Sequence, residues 1–526
     1  MSFLGSLIWR VKKGSSKGDA SDGVELPKLA SGKQIIQKKK ASSTKSQEIL
    51  YFDLFYQLSY MASISTAGIS RDRIFEYSAQ LSGKAAVYFK EIQRISVHLG
   101  YDYAEACRLE GESVDDEMIR TMLLRLSGSM SSGESEAEFF GREADIFGTS
   151  YGDQYERRLD ALKLWTDAFS ALIISAVLVI IIGVVSTMIY KTDQVFTIGL
   201  VGLTIGIAIA GAWLISLMSP KELVPLQQPS SKEQKQLRIL MMVLIPSAVV
   251  AALLLLASKA NMGWVMIICG LLIAPIGYVA VQDDRKISKR DGEIGAFLRS
   301  LGGVTTAIGA TVTEGIARMD LRAMPVLREG TLKLKKRLEI GITPSLCWKR
   351  FVVETGSVLV NRSVGMFRDA MALGAAAEDA GKRASAYTVR LDLLRKRRRL
   401  ITKPFGMLTF AMHGAVLLLL VFVSEVMTRF GSMILNIESD IPGSASSSSA
   451  IGGYFSFNFA GLQLLTSLLM PVIIILTVVN AVAPKVADGG HKCKLFYNLA
   501  ITMCMSGACL LTVPYLVSII FGSVGG

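Results

Sequence analysis

Five consecutive cations, Arg395, Lys396, Arg397, Arg398 and Arg399, stand in the stretch LRKRRRLITKPFG, with Lys403 close behind. Such a run can neutralise phosphates, dock an acidic protein surface, or hold the start of a membrane helix on one side of a bilayer. A grip on nucleic acid would interleave aromatic side chains on which bases stack. The run has none, and an apolar stretch follows directly, so no nucleic-acid partner is expected. The other concentrations of charge are a basic cluster, Lys333, Lys335, Lys336 and Arg337, and an acidic triplet, Asp115, Asp116 and Glu117. What these residues offer is electrostatic recognition of a partner, not the making of bonds.

Patterns that would support catalysis are missing. Gly83-Lys84 in SGKAAVYF lacks the upstream glycine of a phosphate loop and the Ser or Thr that should follow. Neither GxGxxG nor HExxH occurs. GTSYG, with Gly148, Ser150 and Gly152, has the spacing of a nucleophile elbow. That motif needs a preceding strand and a later catalytic histidine. Here no strand pattern precedes it, and the later histidines sit in or beside apolar spans, so it reads as a helix-breaking turn. Cys107, Cys269, Cys347, Cys493, Cys504 and Cys509 form no CxxC and read as small apolar packing residues. His413 lies inside an apolar span and reads as polar glue between helices rather than a proton relay. No enzyme activity, cofactor or metal is expected.

The elements that must position the charges are membrane helices. The chain of 526 residues is 51% hydrophobic, with mean hydropathy +0.42 and net charge +13. Seven windows, near 168–190, 195–218, 239–258, 262–281, 405–430, 461–484 and 495–522, are apolar over the roughly 20 residues a helix needs to cross a bilayer. Tertiary burial explains one such run but not seven. Cations collect on the cytoplasmic side of spans, which places 1–167, 219–238, 282–404 and 485–494 inside and the C-terminus outside. The outer loop 431–460 carries Glu438 and Asp440 but no Lys or Arg. Pro246, Pro275, Pro471 and Pro514 can kink four of the spans. The expected class is an all-α polytopic membrane protein with five parts. They are a basic flexible tail (1–46), a first cytoplasmic helical domain (47–167), four spans (168–281, with a short cytoplasmic loop at 219–238), a second cytoplasmic domain (282–404) and three spans (405–526). The tail opens with MSFLGSLIWRVKK, which is basic and amphipathic enough to lie on anionic lipid.

The two cytoplasmic segments look like copies of one unit. HLGYDYAEAC around Gly100 corresponds to LEIGITPSLC around Gly341, and SMSSGESEAEFF with Gly133 to AMALGAAAEDAG with Gly374, at a constant offset of 241 residues. Duplication is the simplest account. The copies differ in sign. Segment 47–166 has 20 acids and 12 bases, and 282–404 has 25 bases and 13 acids. Opposite fields steer association. They can act between the units of one chain, across a homodimer, or toward a separately charged partner.

This layout resembles the type II secretion system F domain family, the inner-membrane platform of type II secretion, type IV pilus and archaellum machines. LFYQLSYMASISTAGIS, GVTTAIGATVTEGI, the segments at Gly133 and Gly374, and the basic helices before the spans at 168 and 405 carry the likeness. The extra helix pair at 239–281 and the turn NAVAPKVADGGHKCKLFYNLA are similar to archaeal platforms of archaella or pili. The resemblance implies a homodimer that couples a hexameric cytoplasmic secretion ATPase to the assembly of pilin-like or archaellin-like subunits. The local excess of positive charge makes Lys335, Lys336, Arg337, Arg395, Lys396, Arg397, Arg398 and Arg399 of the basic unit the expected grip on that ATPase. Asp115, Asp116 and Glu117 form a second docking candidate. A polytopic transporter or signalling receptor is the rival reading.

Overall fold

In the computed structural model, residues 43–189, 194–222, 224, 231–258, 260–440 and 459–522 are described. The reading of the N-terminal tail, and most of that of the Ser-rich outer loop, fall outside them. Among the described residues every regular element is a helix. The first unit comprises α1 (Ser43–Ser65), α2 (Arg71–Ala79), α3 (Ala86–Leu99), α4 (Tyr103–Ser113), α5 (Glu117–Ser132) and the start of α6 (Glu136–Ile189). Then come α7 (Gln194–Met218), α8 (Lys232–Ala257) and α9 (Met262–Ile308). The end of α9 opens the second unit, which continues through α10 (Val312–Arg318), α11 (Pro325–Glu339), α12 (Pro344–Thr355), α13 (Val358–Ala372) and the start of α14 (Ala377–Asp440). The last two helices are α15 (Phe459–Asp488) and α16 (Lys494–Gly522).

The repeat is visible in the turns. Three left-handed glycines, Gly68, Gly100 and Gly133, recur 241 residues later as Gly309, Gly341 and Gly374. A helix that must stop and turn within a few residues needs positive φ at its end, which only glycine adopts without strain. Starts repeat as well: Asp116 caps α5, and Ser357, again 241 residues on, caps α13. The two units are thus the same six-helix succession.

Seven helices among the described residues are long and apolar enough to cross a membrane, at Glu136–Ser186, Val195–Met218, Lys232–Ala257, Met262–Ile308, Ala377–Met433, Ser467–Asp488 and Lys494–Phe521. They match the seven windows of the sequence. Three of them carry on past the apolar stretch. Helix α6 has 54 residues, α9 has 47 and α14 has 64, lengths of roughly 80, 70 and 95 Å at 1.5 Å per residue. Each runs without a break through the positions where a span was expected to meet a polar unit. The segment 148–152 is helical within α6, so GTSYG is not a turn. A side chain at Gly148 would meet the Phe55 ring at 2.7 Å and the Arg390 guanidinium at 2.8 Å. The glycine is there for close packing. Helix α14 likewise continues to Asp440, ten residues beyond the expected end of its span.

The spans are held by small residues and buried polar groups, as is usual where lipid removes the hydrophobic drive between helices. Gly263, Gly270 and Gly277 form a seven-residue stripe on α9 facing α16. A Cβ on Gly263 would lie 2.7 Å from Leu511, one on Gly270 3.2 Å from the Ala500 carbonyl, and one on Gly277 inside the Tyr497 backbone. His413 on α14 joins three helices: Asn480 of α15 donates to its Nδ1 at 3.0 Å, and its Nε2 lies 3.0 Å from the Ser506 hydroxyl of α16. Thr477 meets the same hydroxyl at 2.7 Å. This is the interhelical glue expected of His413. Helix α8, by contrast, turns Ile239, Met242, Val243, Leu253 and Leu254 outward. Such a row of exposed apolar side chains is stable against lipid and not against water.

Candidate functional site

The basic cluster at 333–337 sits on α11, whose buried residues Leu327, Thr331, Leu334 and Leu338 recur every three to four positions. The same spacing forces Lys333, Lys335 and Lys336 toward the other face. Lys333 pairs with Glu329 at 2.5 Å, and Lys335 approaches Glu339 at 3.7 Å. Lys336 is exposed. Arg337 turns the other way and engages Glu354 of α12, with one contact at 3.3 Å. Lys335 and Lys336 therefore remain on the surface, whereas Arg337 braces α11 against α12.

The run at 395–399 is divided by helix geometry. Successive helical residues are turned by about 100°, so five in a row cannot share a face. Lys396 and Arg397 point to solvent, pairing with Asp392 at 2.7 Å and with Glu156 of α6 respectively. Arg395 and Arg398, each 5% exposed, face inward. Arg395 lies 2.8 Å from the Glu222 carboxylate and 2.8 Å from that of Asp291 on α9. Arg398 donates to the carbonyls of Ala487 and Pro220 at 2.9 and 2.8 Å and to the Ser219 hydroxyl at 2.7 Å. Arg399 reaches Ser288 of α9. Burial takes Arg395 and Arg398 out of a docking surface in this structure. They instead tie α14 to α9, to the exit of α7 and to the end of α15.

Burial alone would raise the Glu222 pKa, but Arg395 and Arg398 outweigh it and hold the carboxyl below its usual range. At Asp291 burial dominates over Arg395 and over the hydrogen bond from Ser357, so this carboxyl is pushed up to about 6. One guanidinium thus keeps one of its partners firmly ionised and leaves the other close to titration. Sequence reasoning missed both acids. A usable signal existed for Glu222, which is the one carboxylate between Ser219 and Ser231.

The acidic triplet is likewise divided. Asp116 is the cap of α5, accepting from the Met118 and Ile119 amides at 3.1 and 3.3 Å and from the Tyr51 hydroxyl at 3.1 Å. Asp115 and Glu117 are exposed, with Glu117 3.9 Å from Arg120.

The opposite charges of the two units meet within the chain. Arg362 of α13 pairs with Asp53 of α1 at 2.9 Å and lies 4.6 Å from the ring centres of both Phe52 and Tyr56. The Tyr60 hydroxyl donates to Asp369 at 3.1 Å, and Tyr387 packs on Phe55 and Tyr56. Arg383 and Arg390 of α14 donate to carbonyls of α6 at Ala137 and Asp145. The units therefore lie on the same side of the spans and brace one another. Among the described residues no group of three or more His, Cys, Asp or Glu could hold a metal.

Two curated proteins resemble this chain over most of its length. The Flagella accessory protein J of Methanocaldococcus jannaschii is 21% identical over 487 residues, covering 88% of this chain and 83% of that protein. The protein of the same name from Methanococcus voltae is 21% identical over 427 residues, covering 78% and 74%. No family model and no solved structure matches the chain. The likeness spans both helical units and the apolar helices between them rather than one hydrophobic stretch, so over most of its length the chain is similar to Flagella accessory protein J.

Proposed function

We propose that this chain is the membrane platform of an archaellum or a related pilus-like filament, coupling a cytoplasmic secretion ATPase to the assembly of filament subunits. In an archaellum it would also pass on rotation. The observation that carries this reading is the likeness, over most of the chain, to Flagella accessory protein J. The geometry supports it. Helices α6, α9 and α14 continue from the braced units into the spans, so a displacement at the units reaches the membrane along continuous helices, with Pro275 in α9 and Pro404 in α14 as the kink points on that route. The units are on the cytoplasmic side, and the C-terminus is outside. The ATPase docks on the exposed basic face, with Lys335, Lys336, Lys396 and Arg397 in contact. Asp115 and Glu117 form a second, acidic contact, and the platform works as a homodimer.

The test is binding of the purified ATPase to the full chain in neutral detergent. Reversing Lys335 and Lys336 to glutamate should weaken it roughly tenfold at low salt, with the difference shrinking as salt screens the field. Unchanged affinity across the salt series would remove the docking assignment. Thiol labelling of cysteines placed near 115 and near 335 should occur from the cytoplasmic side only.

A further inference from the structure

A cavity of about 1290 Å³ opens where the second unit meets the membrane ends of α7 and α15. It exceeds the roughly 300–1,000 Å³ of an ordinary small-ligand pocket. Its lining is strongly one-signed. The two carboxylates facing it, Asp53 and Glu222, are already engaged by Arg362 and Arg395. Against them stand Lys349, Arg398, Lys485 and Lys492, none of which forms an ion pair among the described residues. The guanidinium of Arg398 is hydrogen-bonded by carbonyls and a hydroxyl, and it shares the field of Glu222 with Arg395, so one carboxylate stands against two guanidinium groups. It can lie there because Gly489, at φ 73°, has no side chain: a Cβ would stand 2.8 Å from it.

Cations that outnumber the carboxylates around one cavity repel each other and attract an anion. The strain is legible at Lys485, whose ammonium is half-buried. Burial, then Arg398, Lys494 and Lys492, push its pKa down. The donors left over are ammonium groups, which suit an anion with several oxygens that can be reached from different sides. The cavity also touches Ser216, in the last turn of α7, and Lys485 directly follows an apolar span. It therefore opens at the ends of two apolar helices, and Phe52, Val353 and Val358 give it an apolar flank.

We propose that this cavity is a binding site for a phosphate ester, held by Lys349, Lys485 and Lys492 around the fixed charge of Arg398. The source is either the headgroup of an anionic phospholipid or a soluble phosphorylated compound. The site is separate from the exposed face of α11 and does not depend on the motor reading.

The experiment uses the full chain in neutral detergent with two probes. One is phosphatidylglycerol against phosphatidylcholine in nanodiscs, read by native mass spectrometry of retained lipid. The other is inorganic pyrophosphate, read by titration. Lys349→Gln with Lys485→Gln is the test variant. Lys492→Gln, whose side chain is exposed, is the variant that leaves packing untouched. Lys90→Gln, a distant exposed cation, is the control. The wild type and the control should retain phosphatidylglycerol over phosphatidylcholine, and both test variants should lose roughly tenfold in affinity. Pyrophosphate binding with the same dependence, without lipid retention, would keep the phosphate site and assign it to a soluble ligand. The assignment is overturned if neither probe separates the test variants from the control, or if only an acidic peptide such as polyglutamate does.

Discussion

Replacing Arg395 by alanine tests whether burial, rather than charge count, decides what the basic run does. Arg395 is the shared partner of Glu222 and Asp291, with all three side chains at 6% exposure or less. Removing one member of a buried ion pair costs about 3–5 kcal/mol, because the remaining charge stays desolvated. Arg397, two residues on, pairs with Glu156 where both side chains are 39% or more exposed, and such a pair is worth roughly 0–1 kcal/mol. The two alanine variants should therefore differ by several kcal/mol despite removing the same group from the same helix. Thermal melting followed by a thiol-reactive dye is a suited assay. Cys107 and Cys347 are fully buried, one in each unit, and become reactive on unfolding. The deficit of Arg395→Ala should shrink as pH falls toward about 5. In the wild type the depressed Glu222 contributes stability that is fully present above its unfolded pKa of about 4.3 and is lost only below it, so down to about pH 5 the change comes from the variant. In the variant, protonating Glu222 and Asp291 relieves the buried charge. Converting all three residues to apolar ones should recover most of the loss. Equal melting of Arg395→Ala and Arg397→Ala, or a deficit that grows in acid, would refute the reasoning.

Asp283 is fully buried, and burial pushes its carboxyl up to about 6. A folded pKa above the unfolded value of about 3.9 means that ionisation opposes folding increasingly between about pH 4 and 6, reaching about 3 kcal/mol above that range. Asp283→Asn should accordingly raise the melting temperature at neutral pH, with the gain gone near about pH 4. Gly277→Val would drive a side chain into the Tyr497 backbone and should cost 1–3 kcal/mol or more, seen as loss of folded protein in detergent. Gly303→Val, at a position with open space, serves as the comparison. His413→Leu leaves Asn480, whose Oδ1 already lacks a partner, without its histidine acceptor. A loss of about 1–2 kcal/mol is expected, partly recovered when Asn480→Leu is added, as a double-mutant melt would report.

The sequence alone determined the number of spans, the helical class and the duplication, because these follow from local quantities. A bilayer sets the length of apolar runs, and a left-handed turn demands glycine whether it falls at Gly100 or at Gly341. The basic cluster on α11 was legible for the same reason: its apolar period fixes which lysines stay outside. The division of Arg395–Arg399 was not legible in full. Helical rotation separates the five side chains, but which face meets carboxylates depends on Glu222 and Asp291, brought 173 and 104 residues along the chain to one place. The GTSYG segment misled because two glycines in a row of small residues suit a turn and a tight helix crossing equally. Only the approach of Phe55 and Arg390 to Gly148 selects the crossing. The same holds for the cationic cavity. Lys349, Lys485 and Lys492 are unremarkable in sequence, and they line one cavity only because α12, the end of α15 and the turn after it are brought to one place by contacts distant along the chain. Local rules fix what each helix is, whereas long-range packing decides which charges are neutralised, and it is the unneutralised ones that are left to bind.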